Sequence, residues 1–335
     1  MSACVNSLKK LSDRRNPDKE VFLTFDVEEF LHEAPIVSLH RILKLLRKHG
    51  FRALFFLTGT MAEKISNFPE ILELLKGHEI GYHSSTHSVK PRIFEYTDLE
   101  CFADAVDVSL KMETSHVDPF TGKPKGPGGI LFLREMFPNK SIISFRAPQL
   151  CWSPPHLEAL RQLGFKFDFS TDISIIPVLH RGITFYPSPI RIDSISSKIG
   201  DVRSHAPYRF RVLISRILRQ KCTVLAHHDN IYFRKWDEIF KDGVTNKMSP
   251  SRRYNPIRPE LSFFMLDLLL KELGFLQRIS VLRITPPLEE ARVDLDVSSI
   301  DVMRVFYSSV NFSKELFGYE PRFLLSHFYH YFSRS

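Results

Sequence analysis

The stretch VFLTFDVEE, residues 21–29, decides how the rest of the chain is read. Residues 21–25 form an unbroken run of strand-favouring side chains, the pattern of a strand buried on both faces. Three carboxylates, Asp26, Glu28 and Glu29, follow where that strand meets its loop. Strand alternation puts Asp26 and Glu28 on the same side of an extended segment. Two carboxylates on one side are costly to hold together unless they share a proton or a cation. The carboxyl end of a parallel strand is also where reactive groups gather in open sheets and barrels.

From residue 21 to about residue 285, short apolar runs alternate with helix-period segments. The runs at 53–57, 79–82, 142–145, 165–169 and 223–226 read as strands, and 277–284 as a last strand-like run. Residues 36–49 carry Ile36, Leu39, Leu43 and Leu46 at helical steps, and Gly50 is a stop signal. Further helices are predicted at 69–76, 98–113 and 154–163. The segment VDPFTGKPKGPGG at 117–129 reads as an exposed inserted loop. Strand and helix alternating at this spacing predict an α/β chain with a parallel sheet and crossover helices, either open or closed as a barrel.

The 335 residues are 43% hydrophobic and 25% charged, which excludes disorder, collagen and a disulfide miniprotein. No apolar stretch approaches the roughly 20 residues of a membrane span. The first twenty residues lack the apolar core of a secretory signal, and Cys4, Cys101, Cys151 and Cys222 form no CxxC pair. Together these predict a cytoplasmic chain with free thiols. The net charge of +8 is modest and spread along the sequence, so no nucleic-acid partner is expected. It suits an anionic substrate or an acidic membrane surface. Residues 200–221 place Arg203, Arg209, Arg211, Arg216, Arg219 and Lys221 around an apolar set, as a basic amphipathic helix would. Either an ordinary outer helix or a contact with the inner membrane surface or an anionic ligand fits that pattern.

The third strand ends in HSSTH, residues 83–87. A four-residue step brings His83 and His87 onto one face of a helical turn, which suits one divalent metal. With 14 histidines, roughly half of one such pair is expected by chance, so position carries the weight. This pair falls directly after a strand, beside the expected place of Asp26 and Glu28. Two histidines and one carboxylate leave metal positions open for water, as a hydrolytic zinc site requires. Ser84, Ser85 and Thr86 are candidates to cap the next helix or orient an imidazole. Arg146, in FRAPQL after the fourth strand, needs an anionic partner if buried, and Asp26 is the natural one. In VLAHHDN, either His227 or His228 can donate a proton to a leaving group.

These segments, TFDVEE, HSSTH, RAP (146–148) and LAHHD (225–229), resemble in order the motifs of the polysaccharide deacetylase family, carbohydrate esterase family four. The resemblance spans about residues 20–285. The common first motif has a second, metal-binding aspartate where this chain has Val27, so the chain looks like the branch reading Asp-x-Asp or Asp-x-Glu. The resemblance implies a distorted (β/α) barrel of about seven parallel strands over residues 20–286. A polar segment at 1–19 would precede it and an aromatic-rich helical extension at 287–335 would follow. It further implies zinc or another divalent metal on Glu28, His83 and His87, with Asp26 as general base held by Arg146. His227 or His228 would be the proton donor, and Asp168 or Asp172 would answer to the family's fourth motif. The activity implied is removal of an N-acetyl group from an amino sugar in a glycan, a glycolipid or a sugar nucleotide, anionic or lipid-linked. Two other readings stand beside it. One is a non-catalytic glycan- or membrane-surface-binding protein, motivated by Val27. The other is a deformylase or amidohydrolase acting on a related amide.

Overall fold

A computed structural model describes residues 20–87, 90–171, 173–187, 189–191, 222–227, 236–241, 244–250, 257–280, 282–285, 287–317 and 319–333. The basic segment at 200–221, His228, Asp172 and residues 1–19 lie outside the described residues. The first half of the chain runs β1 (Glu20–Val27), α1 (Ala34–His49), β2 (Leu54–Leu57), α2 (Gly59–Ile65), α3 (Pro69–Leu75), β3 (Glu79–Tyr82), α4 (Ile93–Tyr96) and α5 (Phe102–Glu113). Next come β4 (Ser115–Val117), β5 (Pro124–Pro127), α6 (Ile130–Met136), β6 (Ser144–Phe145), α7 (Pro154–Gln162) and β7 (Phe167–Asp168). Strands β8 (Val178–His180), β9 (Ile183–Phe185), β10 (Ile190–Arg191), β11 (Cys222–His227), β12 (Trp236–Lys241) and β13 (Val244–Pro250) follow. The chain closes with α8 (Ile257–Arg278), β14 (Arg283–Ile284), α9 (Val302–Phe317) and α10 (Leu324–Phe332).

The main sheet has the order β10-β11-β1-β2-β3-β6-β7-β9-β8, with β14 also against β1. Every pairing in it is parallel except β8 with β9. This is the curled, parallel-dominated sheet of a distorted (β/α) barrel. Alternation along β1 divides its side chains between two environments. Val21, Leu23, Phe25 and Val27 join the large core under the helices. Phe22 joins Leu54, Phe56, Phe167, Phe169 and Tyr186 in a smaller inner cluster, where the Phe169 and Tyr186 rings stack at 4.5 Å. Val27 is therefore a core residue on the face opposite Asp26, which accounts for an apolar side chain between two carboxylates.

Helix α1 buries Ile36, Leu39, Ile42, Leu43 and Leu46, each contributing about 1.5–3 kcal/mol of burial. Helix α8 packs on it. Arg41 grips Glu260 with two hydrogen bonds of 2.6 and 2.8 Å and lies 3.7 Å from the Phe263 ring centre. Of the strand expected at 277–284, residues 277–278 end α8, 279–280 form a turn, and only Arg283–Ile284 are strand. Within that helix, Gly274 lets the Phe51 ring pack closely; a Cβ there would come 3.3 Å from it.

Other differences have local causes. The expected loop at 117–129 overlaps a hairpin, β4 with β5, tied by Lys125 to Asp118. The helix expected from residue 98 begins at Phe102. Asp98 is engaged elsewhere: its carboxylate accepts from the backbone N–H groups of Arg322, Phe323 and Leu324 and from the Tyr319 hydroxyl. That caps α10 across the fold, an arrangement that the helix dipole favours. The C-terminal helices dock through aromatic rings, with Phe328 4.9 Å from Trp152. Cys101 is exposed and Cys151 buried, both as free thiols. Among the described residues no helix is long and apolar enough to cross a membrane.

Candidate active site at the carboxyl ends of the strands

Parallel pairing brings the ends of β1, β3, β6, β7 and β11 to one mouth of the sheet. Asp26 of β1 stands level with His227 of β11 in the parallel register. Arg146 follows β6, with its N–H bonded to the carbonyl of Tyr82 in β3 at 3.0 Å. The inner aromatic cluster forms the floor beneath them, a low-dielectric surface that strengthens any charge pair placed on it.

Arg146 is fully buried. It donates to Asp26 Oδ1 at 2.7 Å, to Thr24 Oγ1 at 3.0 Å and to the Phe169 carbonyl at 3.4 Å. Its guanidinium also lies 4.3 Å from the centre of the Phe56 ring. Burial alone would raise the Asp26 carboxyl, but the charge of Arg146, then those of His83 and His227, hold it below the usual aspartate range. The second oxygen, Oδ2, faces His227 Nε2 at 3.6 Å and His83 Nε2 at 3.9 Å.

Glu28 lies beside Asp26, as alternation requires, and is 2% exposed. Its Oε2 is 3.0 Å from His83 Nε2 and 3.0 Å from His87 Nε2. One ligand atom each from Glu28, His83 and His87 lie within 4.8 Å of one another, and so do those of Asp26, Glu28 and His227. Burial would raise Glu28, yet the neighbouring imidazoles of His87 and His83 depress it far below the usual range.

The donor set fits a divalent cation on one further observation. His83 Nδ1 lies 2.7 Å from the carbonyl oxygen of Arg146. A carbonyl only accepts, so the proton of the neutral ring sits on Nδ1 and Nε2 presents its lone pair to Glu28. A lone pair facing a carboxylate oxygen at hydrogen-bond distance needs a positive charge between them, a proton or a metal. Zinc bonds of about 2.0 Å in tetrahedral geometry set ligand atoms about 3.3 Å apart, close to the 3.0 Å between Glu28 Oε2 and each histidine nitrogen.

The local structure of the histidine segment differs from the expected helical turn. Residues 83–87 are irregular, and Ser84 has a φ of 65°. The serines do not orient an imidazole; the Arg146 carbonyl does so for His83. Ser84 Oγ donates to Glu113 Oε1 at 2.8 Å, and Ser85 Oγ to the carbonyl of Met112 at 2.8 Å. The carbonyls of Ser84 and Ser85 accept from the N–H groups of Gly59 and Thr60, the first residues of α2. A Cβ at Gly59 would lie 3.0 Å from both the Gly129 Cα and the Ser85 carbonyl oxygen, so a larger residue would require this backbone to give way by a few tenths of an ångström. Thr58 caps that helix through its hydroxyl, 3.1 Å from the N–H of Met61.

Glu29 takes no part in the carboxylate pair; its oxygens accept from the N–H groups of Leu31 and His32 at 2.8 and 3.0 Å and close the turn after β1. Asp168, one of two candidates for a fourth motif, ends β7. It accepts from Ser170 Oγ at 2.7 Å and from the N–H groups of Ser170 and Thr171 at 3.0 and 3.2 Å. Burial pushes its carboxyl up to about 6, against the pull of those hydrogen bonds and of Arg146.

A stability test follows from Asp168. A folded-state value above the unfolded value near 3.8 means that the native state binds the extra proton. Stability from this group is therefore fully present below pH 3.8 and is lost as pH rises through 6, by roughly 3 kcal/mol in all. Asp168→Asn is expected to remove that decline in denaturant midpoints between pH 4 and 7. A parent and variant with parallel curves would refute it.

Glu113, at the end of α5, is a residue that no sequence motif singles out. Its carboxylate is 1% exposed and accepts five hydrogen bonds. Oε1 accepts from Ser84 Oγ at 2.8 Å, His156 Nε2 at 2.9 Å and Tyr96 Oη at 3.0 Å. Oε2 accepts from Tyr82 Oη at 2.7 Å and from the N–H of Ser85 at 3.0 Å. Burial would raise this carboxyl, but the donors, His156 foremost, hold it below the usual range. The Tyr82 and Tyr96 hydroxyls are pushed well above theirs by burial and by the Glu113 charge.

Comparison with known proteins adds a family. The polysaccharide deacetylase family matches residues 13–106, a span that holds Asp26, Glu28, His83 and His87 but neither Arg146 nor His227. No curated protein sequence matches the chain. Among solved structures it is similar to a family 4 carbohydrate esterase from Streptomyces lividans in complex with acetate, at 14% identity over 77% of this chain and 90% of that one, TM-score 0.39. It is similar to a peptidoglycan N-acetylglucosamine deacetylase at 16% identity over 82% of this chain and 90% of that one, TM-score 0.42. A carbohydrate esterase family 4 pseudoenzyme from Bacillus anthracis is 15% identical over 80% of this chain and 68% of that one, TM-score 0.37. The chain spans 66% of the length of a mutant form of that pseudoenzyme.

Proposed function

We propose that the chain, whose residues 13–106 match the polysaccharide deacetylase family, is a metal-dependent hydrolase that removes an N-acetyl group from an amino sugar. The observation that carries this reading is the buried Glu28–His83–His87 set beside an aspartate held by a buried arginine. Glu28, His83 and His87 would hold a divalent cation, zinc by the nature of the donors. The chemistry supplied by a cation held there is Lewis acidity, toward water and toward the acyl oxygen.

Asp26 takes the proton of the attacking water on Oδ2, while Oδ1 stays tied to Arg146. Its ionised form, favoured by Arg146, is the form a base needs. The water oxygen bonds to the acyl carbon and the C–N bond breaks. His227 Nε2, 3.6 Å from Asp26 Oδ2, protonates the departing nitrogen, so that a neutral amine leaves rather than an amide anion. The aromatic floor keeps bulk water from beneath the pair and keeps the Arg146–Asp26 attraction strong.

The substrate class we propose is an amino sugar within a glycan, a glycolipid or a sugar-nucleotide intermediate. The test is to incubate the zinc-loaded chain with N-acetylated and N-formylated amino-sugar conjugates and measure released acetate and formate. Acetate release that stops with a chelator and returns with metal is the expected result. Formate alone would make it a deformylase, and no release from a metal-loaded chain would overturn the hydrolase reading. His83→Ala is expected to lose metal and turnover together, measured by metal content and acetate release. A variant that kept full metal content would remove His83 from the donor set.

A further inference from the structure

We propose that Glu113 is a positioning residue for the histidine loop, fixing the left-handed turn at Ser84 on which the convergence of His83 and His87 depends. The inference rests on the metal-centre reading above and adds a residue to it that touches none of the metal donors. Ser84 stands immediately after His83, and its φ of 65° lies in the region that favours glycine. A serine stays there only if its surroundings over-determine it. Two sets of bonds do so. From one side, the N–H groups of Gly59 and Thr60 hold the carbonyls of Ser84 and Ser85, each at 3.0 Å. From the other, Glu113 Oε1 holds the Ser84 hydroxyl and Oε2 holds the Ser85 N–H.

The chemistry of position 113 is specific to a carboxylate. All five groups that face it act as donors, and only an ionised carboxylate accepts on both oxygens. The Ser85 backbone N–H cannot be reversed, so an amide nitrogen near it would meet donor with donor. The hydroxyls of Ser84 and Tyr96 can rotate to accept, so a glutamine with its nitrogen on the Oε1 side keeps part of the network. Tyr82, Tyr96 and His156 reach Glu113 from the end of β3, from α4 and from α7. The carboxylate thereby ties the histidine loop to three separate elements. Gly129 allows this closeness: its φ is 55°, and a Cβ there would meet the Glu113 carbonyl at 2.3 Å and Ser85 Oγ at 2.5 Å.

The test is a titration of the full chain with Co2+, reading affinity and the visible spectrum of the bound ion. Thermal unfolding of the metal-free protein runs alongside. Glu113→Ala is expected to weaken Co2+ binding by about 10- to 100-fold, the usual effect of removing a group that orients metal ligands, and to change the spectrum. Glu113→Gln should fall between the parent and Glu113→Ala. Ser84→Gly alone should weaken affinity far less than Glu113→Ala, because glycine adopts the turn without help. Added to Glu113→Ala, it should restore most of the lost affinity, a rescue that a merely stabilising role for Glu113 would not show. Parental affinity and spectrum in Glu113→Ala would overturn the inference while leaving the metal centre standing. A double variant as weak as Glu113→Ala would also overturn it. A parent chain that takes up no Co2+ would overturn both this and the reading beneath it. Should Glu113→Ala fail to fold, Glu113→Gln with and without Ser84→Gly decides by the same rescue.

Discussion

Asp26→Asn is expected to keep divalent metal binding and to slow acetate release by about 100- to 10,000-fold, the usual contribution of a positioned general base. Asparagine is nearly the same size, and its carbonyl oxygen can still accept the 2.7 Å bond from Arg146. What it lacks is a second anionic oxygen to take a proton, at the place where Oδ2 now faces His227. Metal content and turnover should therefore separate in this variant, whereas they fall together in His83→Ala. A near-parental rate in Asp26→Asn would show that some other group takes the proton. His227→Ala would then be the next variant to compare, because its Nε2 lies 3.6 Å from that oxygen.

Arg146→Ala is expected to cost about 3–5 kcal/mol of stability, measured by denaturant unfolding, because it leaves the Asp26 carboxylate buried without its cation. The arginine is wholly enclosed, bonds to Asp26, Thr24 and the Phe169 carbonyl, and fills space over Phe56. Lysine would not replace it, since one ammonium cannot match the planar fork. The cost has a built-in control. In Arg146→Ala with Asp26→Asn, the stranded charge is gone, so the double variant should be more stable than the sum of the single effects predicts. Simple additivity would mean that packing of the arginine, and not its charge, supplies the stability.

Much of the site is legible in the order of residues alone, because it depends on short-range geometry. Asp26 and Glu28 share a side because a strand repeats every two residues. Val27 turns into the core for the same reason. Apolar runs locate the strand ends, and parallel strands bring those ends to one mouth. The helical turn expected for His83 and His87 was wrong in form: their four-residue step is closed by a left-handed serine instead. No pattern of residue types announces that conformation, because serine gives no signal for it.

The places of the strands and the chemistry at their ends were thus set by local rules of alternation and spacing, which neighbouring residues carry in themselves. Which histidine of the pair 227 and 228 sits level with Asp26 depended on the register of β11 against β1, a choice made between segments about two hundred residues apart in the chain. The role of Glu113 was decided the same way, by α5 ending beneath the histidine loop. A buried carboxylate is tolerable only where enough donors converge on it. That convergence belongs to packing between distant elements, so only the tertiary structure could reveal it.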